Sequence, residues 1–255
     1  MSARDFLVRG LLSGLIAGLA AFGVAFVAGE PTLDAAIAIE HSTSHDDESD
    51  MDADASTTDT VVPRWLQASA GLLSGTIAAG VTLGGLVGTL TGLAAGRLGR
   101  LGARGTALFV TGIGFVAIDV VPFLAYPPNP PSVGQAETIG QRTALYFVLM
   151  AISVITATTA TLLGRRAANR WGSWYGSLAA VTGYLAAISA VIALMPSYNE
   201  VPSGFSASLL YEFRLASFGT RLALWAVLGV ALAELTFRLH RRQKGAVKPL
   251  AETAA

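Results

Sequence analysis

Gly71-Leu-Leu-Ser-Gly-Thr-Ile-Ala-Ala-Gly80-Val-Thr-Leu-Gly-Gly-Leu-Val-Gly-Thr-Leu-Thr-Gly-Leu-Ala-Ala-Gly96 runs without a charged residue or a proline. A helix rises 1.5 Å per residue, so about 20 apolar residues cross a hydrocarbon core roughly 30 Å thick. This stretch is long enough to do so. Inside it Gly80, Gly84, Gly88, Gly92 and Gly96 stand four apart, which places them along one slowly drifting helix face. Glycine ridges of this kind let helices approach closely in lipid, where association depends on van der Waals contact. Gly10, Gly14 and Gly18 repeat the spacing near the N-terminus. A strand-to-helix phosphate loop is excluded, because no strand precedes the glycines.

Working outward, six stretches have the length and apolarity of a span: about residues 6–28, 70–95, 106–126, 143–163, 174–195 and 218–237. The composition agrees. Hydrophobic residues make up 53% of the chain and charged residues only 13%, about half the share of an ordinary soluble domain. Backbone in lipid must satisfy its own hydrogen bonds, which favours continuous helices. The expected fold is therefore all-α, a polytopic transmembrane bundle occupying residues 1–245. The first span could be read as a cleaved signal peptide, but its apolar run is long for that role.

Charge placement sets the direction. Arg4 and Arg9 precede span one, and Arg97, Arg100 and Arg104 follow span two. Arg165, Arg166 and Arg170 follow span four; Arg238, Arg241, Arg242, Lys244 and Lys248 follow span six. Six alternating spans put all of these on one side and leave only Arg64, Arg142, Arg214 and Arg221 on the other. By the positive-inside rule both termini are cytoplasmic. The zero net charge hides this segregation, since acids crowd into residues 30–60.

Several residues are candidates for chemistry. Asp119 lies in span three, and a carboxylate there usually faces a cavity or the bundle interior. Pro122, just beyond it, removes a helical hydrogen bond and would expose carbonyl oxygens as ligands. Glu234 in span six lies four residues before Arg238, within ion-pairing reach. The first outer segment holds Glu30, Glu40, His41 and His45 among further acids. If it is helical, His41 and His45 share a face and could chelate a divalent metal, since imidazole suits Co, Ni, Cu and Zn. The competing reading is a solvated acidic linker, and residues 41–62 are expected to be disordered. Residues 246–255 read as a flexible tail. The second outer loop opens with Tyr126-Pro-Pro-Asn-Pro-Pro131, which cannot continue a helix. Gly10-Leu-Leu-Ser-Gly14 is echoed by Gly71-Leu-Leu-Ser-Gly75, compatible with an inverted repeat or with chance among small-residue spans.

Other classes lack support. There is no cysteine, no HExxH, no GxSxG and no Walker A motif, so neither an enzyme nor a tightly bound cofactor is expected. No basic, aromatic-bearing soluble face points to nucleic acid. The partners expected are the lipid bilayer and further copies of the chain in a homo-oligomer. The glycine ridges are read as tight packing inside the bundle or as a sliding surface in a transport cycle.

Four segments resemble the CbtA family, described as cobalt transporter subunits. They are Gly10-Leu-Leu-Ser-Gly-Leu-Ile-Ala-Gly-Leu19, Glu30-Pro-Thr-Leu-Asp-Ala-Ala-Ile-Ala-Ile-Glu40-His41, Pro122-Phe-Leu-Ala-Tyr-Pro-Pro-Asn-Pro-Pro131, and Glu137-Thr-Ile-Gly-Gln-Arg142 leading to Tyr146. The resemblance implies a plasma-membrane permease taking up Co2+ for cobalamin supply, with Co2+ as the transported ion. It also implies a small single-span, histidine-bearing partner subunit of the CbtB type. By it, Glu30, Glu40 and His41 map to the acidic region after span one and Arg142 to the start of span four. The alternative class is a non-transporting membrane scaffold. With no nucleotide-binding motif, transport would draw on a gradient or on another subunit. Calorimetric titration of Co2+ into a peptide covering residues 30–60 separates the two readings of that segment: binding heat supports chelation by His41 and His45, and no heat leaves a solvated linker.

Overall fold

The computed structural model describes residues 2–48, 63–99 and 101–247. It is all-helical, and six of the described helices are long and apolar enough to cross a membrane. Three of them carry a π-helical turn. Helix α1 runs Ala3–Val24, then a π turn Ala25–Gly29, then Glu30–Glu48. Helix α2 runs Arg64–Leu66, a π turn Gln67–Gly71, then Leu72–Ala94. Helix α3 runs Ala103–Phe115, a π turn Val116–Val120, then Val121–Ala125. Helices α4 (Ala136–Trp171), α5 (Ser173–Leu194) and α6 (Ala207–Val247) are uninterrupted. Helix α1 continues through Glu48, past the start of the segment expected to be irregular. Residues 49–62, and 248–255 of the expected tail, lie outside the described residues.

Ser2 starts α1 with a capping box: its hydroxyl accepts from the Asp5 N–H while the Asp5 carboxylate accepts from the Ser2 N–H. Two compact units divide the chain, Met1–Gly112 with Tyr211–Ala255, and Ile113–Leu210.

In the first unit α1 and α2 lie antiparallel, glycine on glycine. A Cβ added at Gly88 would meet the Gly10 Cα at 2.7 Å, and one at Gly84 would meet the Gly14 Cα at 2.7 Å. One at Gly18 would meet the Thr76 carbonyl oxygen at 2.7 Å. Gly92 lies on the Phe6 ring. Backbone touches backbone, so no side chain can yield to make room. The sequence echo does not carry through to packing: Gly10 and Gly14 are pressed against α2, whereas Gly75 has open space beside it. Helix α6 buries Trp225, Leu228, Leu232 and Thr236, a three-to-four-residue stripe. Gly229 on that helix approaches Thr111 of α3. The Thr236 hydroxyl donates to the Leu232 carbonyl, which satisfies a buried polar group within its own helix.

In the second unit α4 and α5 form a hairpin around Gly172, whose φ of 90° suits glycine. Gly164 and Gly176 bring the two helices together beside Ala168 and Ala180. Val121, Leu149 and Ile188 make a buried cluster that joins the end of α3 to this hairpin. The Ser153 and Tyr184 hydroxyls, 2.8 Å apart, bond across the α4–α5 contact.

Gly84→Leu drives a side chain into the Gly10 backbone and is expected to destabilise the protein by more than the ~1–3 kcal/mol typical of overpacking. Gly75→Leu, pointing into open space, should leave stability near native. Thermal unfolding of the two variants in detergent checks the difference.

Candidate functional site

Polar residues gather at three places, two in the first unit and one in the second. Beyond the glycine ridge of α1 the π turn Ala25–Gly29 delivers Glu30 directly after it, and Asp34 one turn further. Arg64, the first residue of α2, reaches both carboxylates: its Nη2 bonds Glu30, and its Nε donates to the Asp34 Oδ1 at 3.0 Å. Glu30 is nearly covered, with a side chain only 12% exposed. The two acids therefore share one guanidinium, a contact that the sequence alone does not reveal. An arriving cation would have to share or displace Arg64.

Glu40 and His41 lie on the same helix, exposed, ten and eleven residues beyond Glu30. That is about 15 Å along the axis. Neighbours in a helix point in different directions, so Glu40 and His41 do not share a face. Positions 41 and 45 are one turn apart on the helix, and the side chain of His45 lies outside the described residues. Among the described residues no group of three or more His, Cys, Asp or Glu is arranged to hold a metal ion.

In the second unit Asp119 lies within the π turn Val116–Val120, 9% exposed. The Val121 N–H donates back five residues to the Val116 carbonyl, the π pattern. Pro122 follows at once and is fully buried. A proline ring clashes with the carbonyl four residues earlier in a regular α-helix, and a widened turn at that point relieves the clash. The loosening lies before Pro122, and the helix then continues to Ala125. Helix α4 packs against this turn and against Val121.

The loops after α3 and α5 meet in a polar knot. Arg142 Nη1 pairs with the Glu200 Oε2 at 3.2 Å. Glu200 also accepts from the Thr138 hydroxyl at 2.7 Å and from the Gln135 N–H at 3.0 Å. Its side chain is 8% exposed. Gly134, at φ 122°, lets the Arg142 guanidinium lie against the backbone, where a Cβ would meet Nη2 at 2.7 Å. The Tyr126 hydroxyl donates to the Pro196 carbonyl at 2.8 Å, and the rings of Tyr126 and Tyr198 sit 6.4 Å apart. The hydrogen bond from Thr138, aided by the Gln135 N–H and by Arg142, holds the Glu200 carboxyl below its ordinary value against the opposing effect of burial. Sequence spacing offered no signal for Glu200, because its partners are more than fifty residues away.

Elsewhere in the first unit Arg104 Nη2 pairs with Glu234, and Arg238 pairs with the same carboxylate at 2.8 Å, as the four-residue spacing predicts. The Arg104 guanidinium also lies 3.7 Å above the Phe237 ring. Glu234 thus ties the start of α3 to α6.

The model of the family described as "Probable cobalt transporter subunit (CbtA)" matches residues 3–236. No curated protein and no solved structure matches the chain.

The lowered Glu200 pKa fixes the sign of a pH effect. A carboxyl whose folded-state pKa is depressed stabilises the fold above its unfolded value, near 4.5, and loses that contribution as pH falls through the folded value. Melting temperature in detergent is expected to drop between pH 6 and pH 3 in the native protein. Glu200→Gln should be less stable than native at pH 6 and lose part of that dependence. Equal slopes for the two proteins would exclude Glu200 as the titrating group.

Proposed function

Because the chain belongs to the CbtA family of cobalt transporter subunits, and is thus a multi-pass membrane transporter subunit and not an enzyme, we propose that it forms the bilayer-embedded permease for uptake of Co2+ serving cobalamin supply. One observation supports this reading above the others. Asp119 is a buried carboxylate inside a π turn of a spanning helix, three residues before Pro122. A carboxylate is costly in that setting and commonly marks an ion route. Single π turns are rare and recur at functional sites, where they alter which carbonyls and side chains face a cavity.

The mechanism follows from charge. Acids of the first outer segment raise the local concentration of a divalent cation by attraction over several ångströms. Glu30 and Asp34 exchange Arg64 for the arriving ion only in part, so this station holds it weakly. Glu40, His41 and His45 act further out on the same helix as capture groups. Asp119, with carbonyl oxygens around Pro122, then takes the ion into the span and supplies the negative charge that a divalent cation needs in low dielectric. Arg142, neutralised by Glu200, frames the outer end of the same unit without repelling the ion. A partner subunit, implied by the word subunit in the family description, supplies the further ligands or the driving force; the partner implied by the resemblance is the histidine-bearing CbtB type.

Uptake of radioactive Co2+ into cells tests the reading. Deleting the protein should abolish uptake above background. Asp119→Asn, close to isosteric, should lower uptake at limiting Co2+ at least about tenfold, the effect of losing ~1.4 kcal/mol of ion binding. Unchanged uptake on deletion would sink the transport role and favour a scaffold. Loss on deletion with native uptake in Asp119→Asn would keep transport and remove Asp119 from the route.

A further inference from the structure

Between the inner halves of α4 and α5 the second unit has a groove of about 700 Å³, within the range of small-molecule sites, roughly 300–1,000 Å³. Its walls include Ile155, Leu163, Gly164, Ala180, Gly183 and Ala187. Thr159 also lines it, but its hydroxyl donates to the Ile155 carbonyl of its own helix at 2.8 Å, leaving its methyl group as wall. Apart from the Thr156 hydroxyl, the interior is therefore apolar. Its mouth is not: Arg166, Arg170 and Trp171 line the end nearest the Gly172 turn, and all three are exposed.

Two features place that mouth at headgroup depth. Trp171, Trp174 and Tyr175 flank the turn with their rings exposed, the amphipathic belt found where bilayer meets water. Arg166 and Arg170 stand one helical turn apart, so both guanidinium groups serve one side of α4. No acidic residue lines the groove. Two cations above an apolar trough complement an anionic head on an apolar tail, and they oppose a second apolar helix, which would leave the guanidinium groups unpaired. Basic pockets between spanning helices on the cytoplasmic side bind anionic headgroups.

We propose that this groove is a binding site for an anionic phospholipid. An acyl chain lies between α4 and α5, and the phosphate is held by Arg166 and Arg170 through charge-assisted, forked hydrogen bonds. The bound lipid covers the span with the least buried surface of the six and secures the hairpin at the inner leaflet.

Intact-protein mass spectrometry of the full chain released from detergent tests this, with phosphatidylglycerol and phosphatidylcholine as the probes. The native protein should retain phosphatidylglycerol in preference to phosphatidylcholine. The double variant Arg166→Gln, Arg170→Gln should bind phosphatidylglycerol roughly 25-fold more weakly, about a factor of five per cation, and lose the preference. Gly183→Leu, which projects into open space, should weaken both lipids by filling the trough; Thr159→Leu serves as a second filling variant. Melting temperatures confirm that each variant is folded. Equal retention of the two lipids by the native protein would overturn the proposal. So would native phosphatidylglycerol binding in both filling variants, which would mean surface attraction without a groove. Cross-linking of Cys-substituted Gly183 to a second copy would assign the groove to a helix and also overturn it.

Discussion

The contact of α1 with α2 at Gly10, Gly14 and Gly18 against Gly80, Gly84 and Gly88 sets the geometry of the first unit. Lipid tails are as apolar as leucine, so helices gain little from hiding apolar surface from one another. What holds them is the summed dispersion of backbone atoms at close approach, and only glycine permits that approach here. Interlocked ridges also fix register. Gly14 faces Gly80; sixteen residues outward along α1 stands Glu30, and sixteen residues back along α2 stands Arg64, its ion-pair partner. The outer ion pair is thus a consequence of the ridge. The register survives two π turns because each helix carries one, Ala25–Gly29 and Gln67–Gly71, at the same level.

Pairing also explains basic residues that depart from the charge bias. Arg64 and Arg142 stand apart from the main arginine clusters, and each is paired with carboxylates from a distant segment. Glu234 is an acid inside a span, and it sits between Arg104 and Arg238. Arg64, Arg142 and Glu234 each break the segregation, and each is paired in the fold.

Much of the fold was legible in the sequence, for physical reasons. Hydropathy over twenty residues is a strong signal, and it gave the six spans. The glycine ridge was visible as a four-residue repeat, and the burial of Asp119 followed from the cost of a charge in hydrocarbon. The rest was hidden for equally definite reasons. Nothing local in Arg64 names Glu30 and Asp34 as its partners, and Glu200 is joined to Arg142 only through folding. The π turns escaped because a uniformly apolar helix has too weak a periodicity to show one residue added. The groove between α4 and α5 needed two helices at a known spacing, since each contributes only half a wall.

The π turns have a consequence for how such a chain changes over time. A π turn is a helix holding one residue more than its hydrogen-bond ladder needs. Losing a single codon within Val116–Val120 would restore a regular ladder without breaking the helix. Because the π turn already absorbs its extra residue within one turn, everything beyond it would keep its phase, with Val121 still against Leu149 and Ile188. The same loss from a regular stretch would turn it by about 100°. The membrane would still accept the segment, since its apolarity is unchanged. Descent in this chain is therefore constrained by phase as well as by residue type: a one-residue loss is absorbed within a π turn and drastic in the regular helix beside it.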